Sequence, residues 1–270
     1  MFVVFFLYMQ ITTRYWAAAG IGFVIAVGTV WFVYEQKTAA VVPPVDTTTS
    51  VASTTDTATS QPATATSTKP FSINSADAIS SWNFKGAYTG NDTLIKQANA
   101  DIAHLTSLLG KGQYDDYDLY NGIANDYDLL GDGTTAYRYY NLAIAVHPTK
   151  GLVYANLAHL MDQLGATRTA VDAYAKAVAV EPGMLEYHIE RLNYLTQKFP
   201  KENALIVAAL TDVSKQFGDT PAILSIEAKW LTGLGRYTDA IKAWETVKML
   251  SPENRQAAID AEIARLKAKQ

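Results

Sequence analysis

Hydrophobic and polar residues follow three regimes along this chain, and each predicts a different element. Tyr15 to Tyr34 is a run of 20 residues without a charge, long enough to cross the hydrocarbon of a bilayer as one helix. From Thr38 to Pro70 large apolar positions almost vanish: 11 of the 33 residues are Thr, 4 are Ser and 4 are Pro. Such a stretch cannot bury enough surface to offset the entropy of ordering, so residues 35–70 read as a disordered linker. Beyond it, apolar residues recur at intervals of three and four, the period that lines one face of a helix. Leu94, Ile95, Ala98, Ile102, Leu105 and Leu109 predict a helix from Asp92 to Leu109, stopped by Gly110. Phe71 to Gly90 is less regular, with Trp82, Phe84 and Tyr88 expected to pack that end. Residues 71–112 together read as an N-terminal cap or a worn repeat.

From Tyr117 a longer period is superimposed on the helical one. Pro148 and Pro182 stand 34 residues apart and Pro252 lies 70 further on. Tyr120, Ile123, Ala124 and Tyr127 precede Gly131, and Ala136, Tyr140 and Ala143 precede Pro148. Tyr154, Leu157, Ala158, Met161, Leu164, Gly165, Ala170, Tyr174 and Ala177 occupy the same offsets before Pro182. Leu224, Ala228, Leu231, Leu234, Gly235, Ala240, Trp244 and Val247 do so before Pro252. Small residues at these offsets let two helices approach closely, and large ones fill the space between hairpins. Each glycine suits a left-handed helix stop, and each proline ends a helix. The pattern resembles the tetratricopeptide repeat, with large–small–large residues on helix A and small–large–small on helix B.

The resemblance implies an all-α, tetratricopeptide-like helical-hairpin solenoid of three to four repeats plus capping helices. The repeats would span residues 113–252. Between Pro182 and Pro221 the pattern is degraded, with helix A at Leu185–Gln197 and helix B at Glu202–Phe217. There Ala204 is expected at the small position. His188 and Arg191 fall where large apolar residues belong, which predicts a rotated helix with Ile189, Leu192 and Leu195 inward. Two extra residues are placed before Pro221. Residues 253–270 form a C-terminal capping helix, its inward stripe read as Ala257, Ile259, Ala261, Ile263 and Leu266.

The charge-free run carries Tyr15 and Trp16 at one end and Trp31 and Tyr34 at the other, as interfacial anchors do. Arg14 and Lys37 flank it, with Glu35 beside Lys37. This predicts a single-pass membrane protein with residues 1–14 in the cytoplasm, a transmembrane helix at 15–34 and the C-terminal domain extracytoplasmic, periplasmic or at the cell surface. A cleaved signal peptide is the rival reading. The anchor is preferred because the small residues near Ala40 lie beyond the charged Glu35-Gln36-Lys37 step. Ala18, Gly22 and Ala26 fall four apart, a spacing that allows weak homo-association in a membrane. The very apolar Met1–Tyr8 stretch leaves open a translation start at Met9. Asn91-Asp92-Thr93 is a glycosylation sequon. The chain has no cysteine, hence no disulfide, thiolate chemistry or lipoprotein anchor.

Charge narrows the partner. The net charge is −4, and residues 1–70 carry three basic and three acidic residues, so the whole excess lies in the helical domain. That balance argues against nucleic acid. The four histidines, His104, His147, His159 and His188, lie in no metal-ligand spacing. Asp126, Asp128 and Asp132 faintly suggest a calcium loop, but Leu129 and Leu130 break its ligand alternation. No catalytic, cofactor-binding or metal site is expected, and the chain reads as a non-enzyme. Tyr114 to Tyr137 holds six Asp and no Lys or Arg.

In the family this chain resembles, helix A lines a concave groove. That resemblance places Asp118, Asn121, Asn125, Asp128, His159, Asp162, Gln163, Glu186, Asn193 and Lys229 in a protein-binding groove. Members that hold a C-terminal carboxylate do so with Lys and Arg; here Asn121, His159 and Glu186 stand nearby, which disfavours acidic tails. A basic or amide-rich segment fits better. The function expected is a membrane-anchored protein–protein interaction scaffold that binds a peptide or helix, in cell-envelope assembly or secretion. The alternative is a glycan- or cell-wall-binding module using the tyrosines between Tyr114 and Tyr140.

Overall fold

The structure, a computed structural model, describes residues 70–270. The segments expected to be cytoplasmic and membrane-spanning, the Ala18–Gly22–Ala26 spacing among them, and nearly all of the expected linker lie outside the described residues. Among the described residues no helix is long and apolar enough to cross a membrane.

Ten helices follow one another in the described residues: α1 Asp92–Leu108, α2 Asp116–Leu130, α3 Gly133–Val146, α4 Gly151–Gln163, α5 Thr167–Val180, α6 Leu185–Lys198, α7 Asn203–Phe217, α8 Pro221–Gly233, α9 Tyr237–Leu250 and α10 Glu253–Lys267. Pairs α2/α3, α4/α5, α6/α7 and α8/α9 form four hairpins, α1 packs on α2, and α10 packs on α9. The first helix of each hairpin is called A and the second B. Local chemistry sets the boundaries. Asn91, Asp115, Asp132 and Thr220 each accept a backbone N–H of the helix that follows. Pro221 occupies the first turn of α8, where its missing N–H costs nothing.

Three of the four A–B turns share one geometry. The N–H of Asp132, Ala166 and Arg236 reaches back to the carbonyl of Tyr127, Met161 and Leu231, at 2.9, 2.8 and 3.0 Å. Gly131, Gly165 and Gly235 take the left-handed conformation that closes this bond, with φ of 88°, 75° and 73°. The small residues expected at the helix crossings, Ala124, Ala136, Ala143, Ala158, Ala170, Ala177, Ala228 and Ala240, are all fully buried.

The third hairpin departs from expectation in two ways. First, α6 is not rotated. His188 is only 4% exposed, with its ring edge-on to Phe217 at 5.3 Å. Its Nε2–H donates to the Pro182 carbonyl at 3.0 Å; one repeat earlier the Tyr154 hydroxyl donates to the Pro148 carbonyl at 2.9 Å. Histidine thus does the work of tyrosine. Arg191 holds its place with its side chain only 14% exposed and its head 3.6 Å from Asp212. Leu192 and Leu195 are buried as expected, whereas Ile189 is only half-buried. Second, the two extra residues lie in the turn Phe199–Glu202, not before Pro221. Ile206, Ala209, Leu210 and Val213 stand 36 residues after Ala170, Ala173, Tyr174 and Ala177 and take their buried places. Ala204 is therefore exposed rather than at the helix crossing. In α10 the buried stripe is Ile259, Ile263 and Leu266, while Ala257 and Ala261 face solvent. Spacings of four and three pick out one face, and the alanines fall off it.

Residues 71–90 form a strap across the first two hairpins. The N–H of Phe71 donates to Asn141 Oδ1 at 2.6 Å, and its carbonyl accepts the Tyr137 hydroxyl. Asn74 donates from its N–H to Thr169 Oγ1 and from Nδ2 to Asp172 Oδ2, at 2.9 and 2.7 Å. The strap then crosses the first A–B turn, where the Phe84 N–H donates to Gly131 and the Gly133 N–H to Trp82, at 3.1 and 2.9 Å. Gly86 and Gly131 permit this approach, since a Cβ on either would collide with a backbone oxygen of the other segment.

Asp77 makes the strap's most informative contact. Helix α5 starts after Ala166, which has no side chain to cap it. Asp77, some 90 residues upstream, supplies the missing acceptor: its carboxylate takes the N–H of Arg168 at 3.1 Å and of Thr169 at 2.6 Å, and the Thr169 hydroxyl at 2.6 Å. Partial burial raises its pKa, but the bonds from Thr169 and Arg168 outweigh this and hold it below the ordinary value. The contribution is thus fully present above about pH 4 and is lost as pH falls through the lowered value. Asp77→Ala is expected to cost about 1–2 kcal/mol in urea denaturation at pH 7. A loss near zero would mean the strap does not cap α5.

Candidate binding face on the A helices

Helices α2, α4, α6 and α8 are the A helices, and the polar residues singled out in the sequence lie on them. The structure divides these residues into two sets. Asn121, Asn125, Asp128, His159, Asp162 and Gln163 are tied into a ladder of side-chain contacts, Gln163 from an exposed position. Asp118, Glu186, Asn193 and Lys229 are exposed.

The ladder joins hairpin to hairpin. Asn156 Nδ2 donates to Asn121 Oδ1 at 3.1 Å, and Gln163 Nε2 donates to Asp128 Oδ1 at 2.9 Å, each pair 35 residues apart. Asp162 accepts the Tyr194 hydroxyl at 3.0 Å and lies 2.8 Å from Lys198 Nζ. Asn125 accepts the hydroxyl of the fully buried Tyr140 at 2.6 Å. The His159 ring stands edge-on to Tyr174, centroids 5.6 Å apart. Asn156, Tyr194 and Lys198 are members that the sequence pattern did not single out. The 34-residue period could have found Asn156, which follows Asn121 by nearly one repeat.

Burial sets the electrostatics. It pushes Asp128 up to about 6 against the Gln163 bond that opposes it. Burial, then the nearby Asp101, pushes Asp126 up to about 7. Burial, then Glu186, pushes Glu190 up to about 7. The same desolvation holds His159 below the usual histidine value, with Asp162 acting the other way. Among the described residues no group of three or more His, Cys, Asp and Glu could hold a metal ion. The tyrosines between Tyr114 and Tyr140 are largely committed to packing. Tyr117, Tyr120 and Tyr140 are buried, Tyr127, Tyr137 and Tyr139 are half-buried, and Tyr114 is 49% exposed.

No family model and no curated protein matches the chain. Among solved structures it is similar to the C-terminal part of a TPR repeat-containing protein from Cytophaga hutchinsonii. The identity is 20%, over 66% of this chain and 69% of that one, with a TM-score of 0.52. It also matches the APC/C hetero-tetramer Cut9–Hcn1 at 17% identity, over 66% of this chain and 35% of that one, TM-score 0.44. A thermophilic TPR protein of Thermus thermophilus matches at 18% identity, over 65% of this chain and 93% of that one, TM-score 0.43. The first of these likenesses shows the fold: an all-α, TPR-like solenoid.

The raised carboxyls give a prediction. Asp126, Asp128 and Glu190 bind their protons more tightly folded than unfolded, so their contribution to stability is full below about pH 4 and is lost as pH rises through 6 to 7. Asp77 and Asp115, which are lowered, act in the opposite sense at more acid pH. The melting temperature is therefore expected to be highest near about pH 4 and to fall as pH rises to about 7. Asp128→Asn should flatten part of that fall. A melting temperature that climbs steadily from pH 5 to 8 would contradict the buried-carboxyl picture.

Proposed function

We propose that this protein is a membrane-anchored interaction scaffold whose solenoid binds a basic or amide-rich peptide or helix of another protein along the A-helix face. One observation carries the reading. Side chains on α2, α6 and α8, Asp118, Glu186, Asn193 and Lys229, stand exposed beside a floor in which Asn121, Asp128 and Asp162 are already hydrogen-bonded. A floor bonded in this way is pre-organised, so a partner spends little free energy ordering it. The negative charge at the α2 end favours a cationic segment there. Residues 15–34 would anchor the chain and residues 35–70 would tether the solenoid outside the cytoplasm, in envelope assembly or secretion.

Charge reversal of the exposed set tests the face. Crosslinked pull-downs from native membranes would compare the full chain with Asp118→Lys/Glu186→Lys and with Gln216→Lys, an exposed change on α7. Partners weakened about tenfold in the double variant and kept in the α7 variant are expected. Partners kept in both would move binding off this face. Topology has its own check: a reporter fused after Gln270 should be active outside the cytoplasm, and activity confined to the cytoplasm would sink the proposed location.

A further inference from the structure

The A-helix face holds one acid–base contact that peptide binding does not use. His159 on α4 and Glu190 on α6 face each other across two hairpins, Nε2 and Oε2 4.0 Å apart, just beyond hydrogen-bond length. The Tyr174 hydroxyl of α5 lies 3.3 Å from each ring nitrogen of His159. Glu190 Oε2 is sealed from solvent and has no hydrogen-bond partner. An ionised carboxylate in that position is costly. A proton on Oε2 removes the charge and makes the carboxyl a donor, which an approach of about 1 Å would bring within hydrogen-bond length of the imidazole.

We propose that the His159–Glu190 contact is a proton-operated latch between the second and third hairpins, closed while Glu190 carries its proton and loosened when the proton leaves. Opening releases one proton to solvent. The surrounding groups set where this happens. On α6 itself Glu186, one turn earlier, adds negative charge, Tyr187 and Tyr194 are neutral phenols, and Arg191 is turned toward Asp212 of α7 at 3.6 Å. From α4 comes Asp162, held by Lys198 at 2.8 Å. From α5 comes Tyr174. On α8, Glu227 has Asp219 and Arg236 as its charged neighbours, and Lys229 faces Glu262 of α10. Among the described residues no Lys or Arg forms an ion pair with Glu190. Burial and Glu186 therefore prevail and carry the Glu190 carboxyl up to about 7, while burial lowers the value of His159 beside it.

The latch operates whether or not the face binds a peptide, so its test uses no partner. Amide hydrogen exchange of the full chain would be followed from pH 6 to 8, corrected for the intrinsic base-catalysed rate. With Glu190 near its ordinary value of about 4.3 when open and about 7 when closed, protection of residues 187–195 should fall about tenfold over that range. Glu190→Gln keeps a donor and cannot ionise, so its protection should lose that tenfold fall. Equal pH profiles in both proteins would overturn the latch. Should the Gln variant not fold, carbon NMR of the Glu190 carboxyl in the unaltered chain decides: a midpoint near 7 supports it, and one near the ordinary carboxyl value overturns it.

Discussion

A two-helix hairpin of this length buries only the seam between its own helices, and that limit governs the rest of the molecule. Fully buried alanines such as Ala124, Ala136, Ala158 and Ala170 bring A and B together, but tyrosines and leucines on the outer faces need another hairpin to cover them. Stacking is therefore obligatory, and the stack must end in something that does not invite a further unit. At one end α1 and the strap provide this. At the other, α10 offers a three-residue apolar stripe to α9 and turns charged residues and alanines outward.

Between the ends, helices are finished by borrowed groups. Helices α4 and α5 begin after Lys150 and Ala166, neither of which caps with its own side chain. Asp77 serves α5, and Glu181 Oε2 accepts the Gly151 N–H of α4 at 2.8 Å across 30 residues. Each borrowed cap is also a tertiary contact, so helix formation and stacking become one event rather than two. The A-face ladder follows the same logic. Asn121 with Asn156 turns what would be buried unsatisfied groups into a hairpin-to-hairpin tie, and Asp128 with Gln163 adds a second one nearer the surface.

The repeat length, the glycine turns and the small–large alternation were legible because each is a local rule that recurs. Less legible was anything depending on where an insertion sits. Two extra residues before Pro221 look the same in sequence whether they lie in the turn or after the helix. Only the burial of Ile206 in place of Ala204 reveals that the turn at Pro200 absorbed them. Hydropathy ranks His188 polar and so a misfit, yet its ring and Nε2–H reproduce what Tyr154 does with ring and hydroxyl. The polar positions on the A helices were identified as a set, but side-chain reach across helices decided which of them spend their hydrogen bonds internally. Asp77 could not be found at all by a local rule, since its partner is a helix start about 90 residues away.

The strap has a consequence for how the protein is made. A ribosome releases Asp77 and Asn74 long before Thr169 and Asp172, partners 92 and 98 residues downstream. Until the second hairpin emerges, the strap's carboxylate and amides have only water to bind. The first hairpin can form as it appears, because its contacts are local. The N-terminal half, however, reaches its final hydrogen bonding only once α5 has left the tunnel. Completion of the second repeat thus marks the point in synthesis at which the earliest-made part of the solenoid is sealed.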